Sequence, residues 1–242
     1  MESRTTLETK QDSQWMSVSD LMSGLVLIFI LLTISMIYEA ARIQDRSGDI
    51  NSDIDKIAAA LELEFRSDLK KWDAEFNAPL LEFTYLNPEV LFDQGDSALK
   101  PEFLIILNDF LPRYLNVLDE FRDTILEIRI EGHTSTRWDT ATSQQEAYAK
   151  NMDLSHRRTA AVLQYSYSLE EVQLRYFEWL SQRLVAVGMS SSKPIRDSDG
   201  REQESKSRRV TFRVITDAEQ RLLCRDEQFK IGCDFSRKDA LE

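Results

Sequence analysis

An uncharged apolar run near the N-terminus constrains this chain more than any other feature. Residues 21–38 are 18 consecutive positions without an acidic or basic side chain. At about 1.5 Å per residue they cover about 27 Å as a helix, and residues 16–20 extend it enough for a hydrocarbon layer about 30 Å thick. Trp15 and Tyr38 lie at the two ends, where aromatic rings favour a membrane interface. The run therefore predicts a transmembrane helix over residues 15–38.

Two other interpretations of the run fit less well. A buried helix of a soluble core rarely stays apolar on every face over this length. A cleavable signal peptide needs a positive N-terminal region and a small-x-small cleavage site, but residues 1–14 carry two basic against three acidic side chains and no such site follows Tyr38. We therefore expect an uncleaved signal anchor. Lysine and arginine are too evenly distributed around the run for the positive-inside rule to fix its orientation.

The charge balance excludes some classes of function. The 242 residues carry 30 Lys and Arg against 42 Asp and Glu, which gives a net charge of −12. Neutralising phosphates requires a basic face, so we expect no direct nucleic-acid binding. The chain has 7 Gly and 5 Pro, too few for a collagen-like or low-complexity protein.

Beyond the membrane segment the pattern changes to that of a folded domain. Between Ile54 and Phe76 apolar residues recur every three or four positions, which predicts an amphipathic linker helix within residues 39–78 that ends before Pro79. Strand and helix patterns then alternate, with strands at 80–85, 124–131, 184–187 and 208–216 and helices at 98–121 (interrupted at Pro112), 154–166 and 169–183. This alternation predicts a two-layer α/β domain over residues 79–217.

Two cysteines, Cys224 and Cys233, lie close together in the predicted C-terminal tail, residues 218–242. The pair is typical of a small disulfide in an oxidising compartment, worth up to about 3 kcal/mol. Two unrelated thiols would give the same pattern, because nothing beside them completes a metal site. Both interpretations stay open.

Asp20 stands among serines at the edge of the apolar run. An acid near the centre of a membrane helix costs roughly 2.5–3.5 kcal/mol on insertion scales, so Asp20 is a functional candidate. The spacing from Ser17 to Asp20 is also that of a capping box, in which Ser17 caps the helix and Asp20 binds its first amides. Spacing alone leaves ion handling and capping equally open.

The remainder of the sequence shows no catalytic pattern. His133 and His156 lack cysteine or carboxylate partners at metal-ligand spacing, and there is no Gly-x-Ser-x-Gly elbow or Gly-rich phosphate loop. We therefore predict a protein that is not an enzyme and uses no cofactor or metal. The arginine pairs at 157–158 and 208–209 could clamp a carboxylate, which guanidinium binds bidentately, but solvated surface arginines give the same pattern.

Four ordered landmarks resemble those of the OmpA-like peptidoglycan-binding domain. They are Ile-Arg-Ile-Glu-Gly-His-Thr at 128–134, Asn-Met-Asp-Leu-Ser-His-Arg-Arg at 151–158, Val-Ala-Val-Gly-Met at 185–189 and Ser-Arg-Arg-Val at 207–210. The stretch 15–25, with its Trp and early Asp, resembles the transmembrane helix of flagellar stator B subunits. Within that superfamily, Ser-Asp-Leu-Met-Ser-Gly-Leu at 19–25 is most similar to the B subunits of the Zorya anti-phage defence system.

The resemblance implies a set of site residues. By this resemblance Asp20 is expected to be the ion-binding carboxylate. Arg158 is expected to pair with the diaminopimelate carboxylate of the stem peptide of the cell wall. Ser135 stands where the family has an Asp that also binds the stem peptide. Asp139, in the longer loop that follows, could replace that Asp by reaching back. Otherwise binding would rest on backbone groups and on side chains of the remaining expected members, which are Thr134, Asn151, Arg158 and Arg208.

The resemblance also implies a function and its partners. It indicates the B subunit of a proton-driven rotary motor in the bacterial inner membrane, with a homodimer standing inside a ring of five A subunits. Residues 1–14 would be cytoplasmic, and the periplasmic C-terminal domain would anchor the motor to peptidoglycan. The motor would act in anti-phage defence, reaching cytoplasmic effectors indirectly. A flagellar stator B subunit and a passive peptidoglycan tether are the alternatives.

Overall fold

In a computed structural model the backbone is described for residues 5–139 and 142–217. Side chains are described for the same residues except 5–21, 40–52 and 88–89. The chain divides into two compact units, Met1–Ile50 and Asn51–Glu242. Cys224 and Cys233 lie outside the described residues, so the disulfide stays a prediction.

The first unit contains the apolar part of helix α1 (Thr5–Phe65). Its segment Met22–Glu39 has a mean hydropathy of 2.0, and none of it is buried within the protein. Leu27 and Leu31, for example, are 61% and 66% exposed. A helix with apolar side chains on all faces requires an apolar environment, and this segment has the length and composition to cross a membrane. Asp20 also lies in α1, but its side chain is outside the description.

The second unit is built on a five-stranded mixed sheet. Neighbouring strands are antiparallel except for one parallel pair, β3 with β4. The strands, which lie in the order β1-β2-β5-β3-β4, are β1 (Ala74–Asn77), β2 (Glu82–Tyr85), β3 (Ile125–His133), β4 (Leu184–Ser190) and β5 (Arg209–Thr216). A parallel pair needs a long crossover, and the helices between β3 and β4 supply it.

The helices of this unit cover one face of the sheet and form the second layer. They are α2 (Pro88–Leu91), α3 (Pro101–Asp119), α4 (Gln144–Ser168), α5 (Phe177–Arg183) and α6 (Glu204–Ser207), with a π-helical turn at Val172–Tyr176 before α5 and a 3-10 turn at Ala78–Leu80. The ring of Phe110 on α3 lies 5.3 Å from that of Phe83 on β2 and 5.1 Å from that of Phe212 on β5. The predicted two-layer α/β class is confirmed.

The end of α1 belongs to this core. Ile57, Leu61 and Phe65 are fully buried, and the ring of Phe65 lies 5.2 Å from the rings of both Phe83 and Phe110. The apolar spacing noticed in the sequence therefore identifies a face that packs on the α/β unit itself.

Two predicted features differ from the structure. The predicted linker helix continues to residue 78, whereas α1 ends at Phe65 and Ala74–Asn77 forms strand β1. Turns at 66–73 follow α1, and the left-handed φ of 51° at Asp73 prevents the helix from resuming there. The stacking of Phe76 on Phe83 at 4.4 Å then favours the strand. The predicted interruption at Pro112 is also wrong, because α3 continues through it. Apolar burial on both sides outweighs the single lost hydrogen bond.

Candidate functional site

Helix α4 positions the site, and two glycines let it approach the sheet. A Cβ on Gly132 of β3 would lie 2.7 Å from Cγ2 of Thr159 and 2.9 Å from the carbonyl oxygen of Ser155. A Cβ on Gly188 of β4 would lie 2.7 Å from the ring of His156. Real Cβ atoms do not approach so closely, so both positions require glycine, and α4 lies directly against the β3–β4 pair.

The guanidinium of Arg158 is held inside the protein by backbone carbonyls. Its Nε donates to the carbonyl of Asp96 at 2.8 Å and its Nη2 to that of Asp93 at 3.1 Å. The group lies 4.8 Å above the ring of Phe92, and the residue is 8% exposed. These contacts immobilise a cation while leaving donors unused, because a guanidinium has five N–H groups.

A small cavity of about 10 Å³ borders this guanidinium, lined by Leu91, Phe92, Gly132, His133, Arg158, Arg208, Arg209 and Val210. Burial and, to a smaller extent, repulsion from Arg208 lower the pKa of Arg158 to about 10, although Asp96 opposes them. Burial also lowers the pKa of Arg209. Positive charge is therefore concentrated and incompletely solvated here, an environment that favours an anionic ligand.

Next to the cavity, the loop after β3 joins three of the predicted site residues. The N–H of Thr134 donates to the carbonyl of Ser190 at 2.9 Å, and the amide of Asn151 donates to the carbonyl of Ser135 at 3.0 Å. All three predicted residues are less than 5% exposed, and the hydroxyl of Thr134 has no partner among the described groups. Asn151 and Arg158 stand two turns apart on the same buried face of α4.

The other two predicted members differ in where they lie. Arg208 lines the cavity, and its Nη1 lies 3.7 Å from a carboxylate oxygen of Glu204. Asp139 accepts a hydrogen bond from the Thr142 hydroxyl at 2.5 Å and helps to raise the pKa of Lys150, after the larger effect of Glu146. It is not among the residues that line the cavity.

Glu131 and His133 of β3 form a buried pair, and His133 also lines the cavity. Nε2 of His133 is 3.4 Å from a carboxylate oxygen of Glu131, and both residues are at most 3% exposed. The hydrogen bond from His133 lowers the pKa of Glu131. Burial lowers the pKa of His133 more than Glu131 raises it. The couple is therefore a neutral imidazole that donates to a carboxylate.

Sequence reasoning missed several groups of this site. The carbonyls of Asp93 and Asp96 are backbone atoms that any residue could supply, and the turn around Gly95 (φ 73°) was the sole signal that the chain bends there. Glu202, which binds the loop after β3 at Thr136, is 66 residues away from it along the chain. Among the described side chains, no group of three or more histidine, cysteine, aspartate or glutamate residues is arranged to hold a metal ion.

Comparison with known proteins places the chain in a family. A model of the OmpA family matches residues 91–208. Zorya protein ZorB of Escherichia coli is 44% identical over 214 residues, which cover 86% of this chain and 91% of that protein. This chain belongs to the ZorB family. The resemblance seen in the sequence, to an OmpA-like domain and to the B subunits of Zorya systems, is thereby confirmed.

Two further similarities of this ZorB-family chain cover less of it or are more distant. The uncharacterized protein YtxE of Bacillus subtilis is 29% identical over 125 residues, which are 52% of this chain and 44% of YtxE. A crystal structure of a MotB like protein from Desulfovibrio vulgaris has 19% identity and a TM-score of 0.47, and the match covers 69% of this chain and 94% of that one.

Proposed function

We propose that this chain is the B subunit of a proton-driven motor of the bacterial inner membrane, anchored to peptidoglycan and acting in anti-phage defence. The identity with Zorya protein ZorB, over 91% of that protein, supports the defence role. Segment Met22–Glu39 supports a single membrane crossing. Residues 1–14 are then cytoplasmic and the α/β unit is periplasmic. The role is mechanical and requires no catalysis.

The observation that carries wall binding is the buried guanidinium of Arg158. Its contacts among the described residues are two backbone carbonyls and an aromatic ring, none of which neutralises its charge. A carboxylate that reached the unused N–H groups would form a charge-assisted pair, which is stronger than a neutral hydrogen bond. We propose that the diaminopimelate carboxylate of the stem peptide is that ligand, with Thr134, Ser135, Asn151 and Arg208 forming the surrounding wall.

Wall binding is tested by retention of the solubilised full chain on isolated sacculi. Arg158→Ala is expected to reduce retention at least tenfold. Arg157→Ala is the matched control, since Arg157 is the exposed neighbour on α4 and binds Asp153 at 3.0 Å. Equal retention of the Arg158→Ala and wild-type chains would show that Arg158 does not bind peptidoglycan.

For the motor role we propose Asp20 as the proton-carrying carboxylate, in a homodimer surrounded by five A subunits. One charge crossing about 100 mV is worth about 2.3 kcal/mol, so a few crossings can drive a conformational step. Asp20→Asn keeps the size and capping ability of the side chain but cannot carry a proton. We expect assembly with the A subunit to persist and protection against phage to disappear.

The same variant separates the motor from a passive peptidoglycan tether. A tether needs the membrane segment and the α/β unit but not an ionisable group at position 20. Full phage protection by the Asp20→Asn variant would therefore favour the tether. Flagellar genes beside this one would favour a stator for swimming.

A further inference from the structure

A tight hairpin, residues 195–203, stands beside the candidate site. Its ends are joined by a hydrogen bond of 2.8 Å from the N–H of Gln203 to the carbonyl of Ile195. Its turn is closed by the carboxylate of Asp197, which accepts two backbone N–H groups at 3.0 and 2.9 Å. Such a doubly closed turn is a rigid support, and the hairpin carries Glu202 on its returning arm.

Glu202 reaches from this hairpin to the loop that follows β3. The N–H of Thr136 donates to both of its carboxylate oxygens, at 3.1 and 3.3 Å, and the hydroxyl of Thr136 donates to one of them. One carboxylate therefore takes both donors of Thr136. Because the acceptor is ionised, these hydrogen bonds are about twice as strong as neutral ones.

Residues 134–136 of the loop have three hydrogen-bonded attachments, which differ in kind, and Arg137 also lies 3.9 Å from Glu204 of α6. Thr134 is attached to β4 and Ser135 to α4, through neutral groups that are almost completely buried. The third attachment is the contact of Thr136 with Glu202, which is half-buried and charged. Thr136 is itself exposed, whereas Thr134 and Ser135 are buried.

The loop and the hairpin that carry these two residues both lead along the chain to residues that line the cavity beside Arg158. The loop begins at the end of β3, where Gly132 and His133 line the cavity, and the hairpin leads through α6 into Arg208, which lines it as well. The β3–β5 pairing already joins His133 to Arg209 at this cavity, and the contact of Thr136 with Glu202 adds a second connection, between the loop and the hairpin.

We infer that Glu202 is a positioning residue for peptidoglycan binding, which holds the loop after β3 against the hairpin so that Thr134 and Ser135 stay beside Arg158. The inference rests on the proposed function, because it assigns Glu202 a part in the same site. Glu202 acts through Thr136 and need not touch the ligand.

The test compares two amide substitutions on one hairpin. Glu202→Gln keeps the length of the side chain but loses the charge and one acceptor oxygen, and we expect the apparent Kd of the full chain for sacculi to rise about tenfold. Asp199→Asn removes the same charge from an exposed position of the turn, and we expect no change. Thr136→Ala removes the hydroxyl donor but keeps the N–H, so we expect it to weaken binding less than Glu202→Gln does. The double variant should bind sacculi about as weakly as Glu202→Gln alone, because both substitutions act on the same contact.

Hydrogen–deuterium exchange separates positioning from a general loss of stability. In the Glu202→Gln chain we expect faster exchange in the peptide covering 134–139 and unchanged exchange in β3 and α4. Faster exchange throughout the α/β unit would overturn the inference. Wild-type affinity of Glu202→Gln, with binding lost in Arg158→Ala, would overturn it while leaving the proposed function intact. Wild-type affinity of both variants would overturn both.

Discussion

Arg113 of α3 binds Glu64 of α1 through both the side chain and the backbone of that residue. Its Nε donates to the carboxylate at 2.6 Å and its Nη2 to the backbone carbonyl at 2.9 Å. That carbonyl is one of the last four of α1, which have no acceptor role within the helix. The same guanidinium donates to Asp68 at 2.9 Å and lies 4.8 Å from the ring centre of Phe65. Arg113 therefore caps the helix end and ties it to the core.

Removing this cap should destabilise the α/β unit. We expect Arg113→Ala to cost about 2 kcal/mol, since the ion pairs are partly exposed but the backbone bond and the ring contact are lost as well. This corresponds to a fall in Tm of about 4–8 °C, measurable by Trp fluorescence of the solubilised chain. Arg66→Ala removes an exposed arginine paired with Glu62 and should cost less than 0.5 kcal/mol, about the value of a surface pair. Equal effects of the two substitutions would contradict the capping role.

Gly132 gives a second prediction, about how α4 is positioned. A methyl group there would meet the backbone carbonyl of Ser155, which cannot move without its helix. We expect Gly132→Ala to destabilise the unit by about 2 kcal/mol and to weaken sacculus binding, because α4 carries Arg158. Gly24→Ala, where a Cβ meets nothing within 4 Å, is the control and should change neither. Wild-type stability and binding of the Gly132→Ala chain would show that α4 can shift away from the added methyl group without loss.

The sequence predicted most strands because their signal is local. Residues 128–131 of β3 alternate apolar and charged side chains, and Gly132 marks the point where a helix approaches. Strand β1 was missed because Trp72 and Phe76 continue the helical spacing, although they reach the core from a turn and a strand. A spacing of four residues cannot separate these cases, and the left-handed Asp73 carries no pattern of its own.

The site was predictable only where a motif carries it. Arg158 and Arg208 follow from the resemblance, and the structure brings both to one cavity. The carbonyls that hold Arg158 come from 62 and 65 residues away, and backbone atoms leave no trace in residue type. Glu202 is one acid among the 42 Asp and Glu of the chain, so its contact with Thr136 could be recognised only in three dimensions.

The fork of hydrogen bonds around Arg158 gives a third prediction. Lysine would keep the charge but cannot bind the carbonyls of Asp93 and Asp96 and a ligand carboxylate in one plane. We therefore expect Arg158→Lys to lower sacculus affinity about tenfold, close to the loss in Arg158→Ala. Arg157→Lys serves as the control, because Arg157 is exposed. Retained affinity in Arg158→Lys would indicate that charge alone suffices.

The Glu131–His133 couple predicts how stability depends on pH. Burial holds the pKa of His133 below its ordinary value near 6.5, although Glu131 opposes this effect, with Arg209 lowering the pKa and Glu82 raising it to smaller extents. As pH falls below about 6.5, the unfolded chain therefore binds a proton at this residue before the folded chain does. The free energy of unfolding must then decrease with falling pH until folded His133 is protonated too.

His133→Gln should remove this part of the pH dependence. Its amide nitrogen reaches about as far as Nε2 of histidine, which faces Glu131, but it does not titrate. We expect the urea midpoint of the wild-type chain to fall between pH 7 and pH 5 and that of the variant to fall less. The range ends above the ordinary pKa of glutamate, so the lowered pKa of Glu131 does not contribute within it. Identical slopes for the two chains would mean that His133 takes up its proton equally well in the folded and unfolded states.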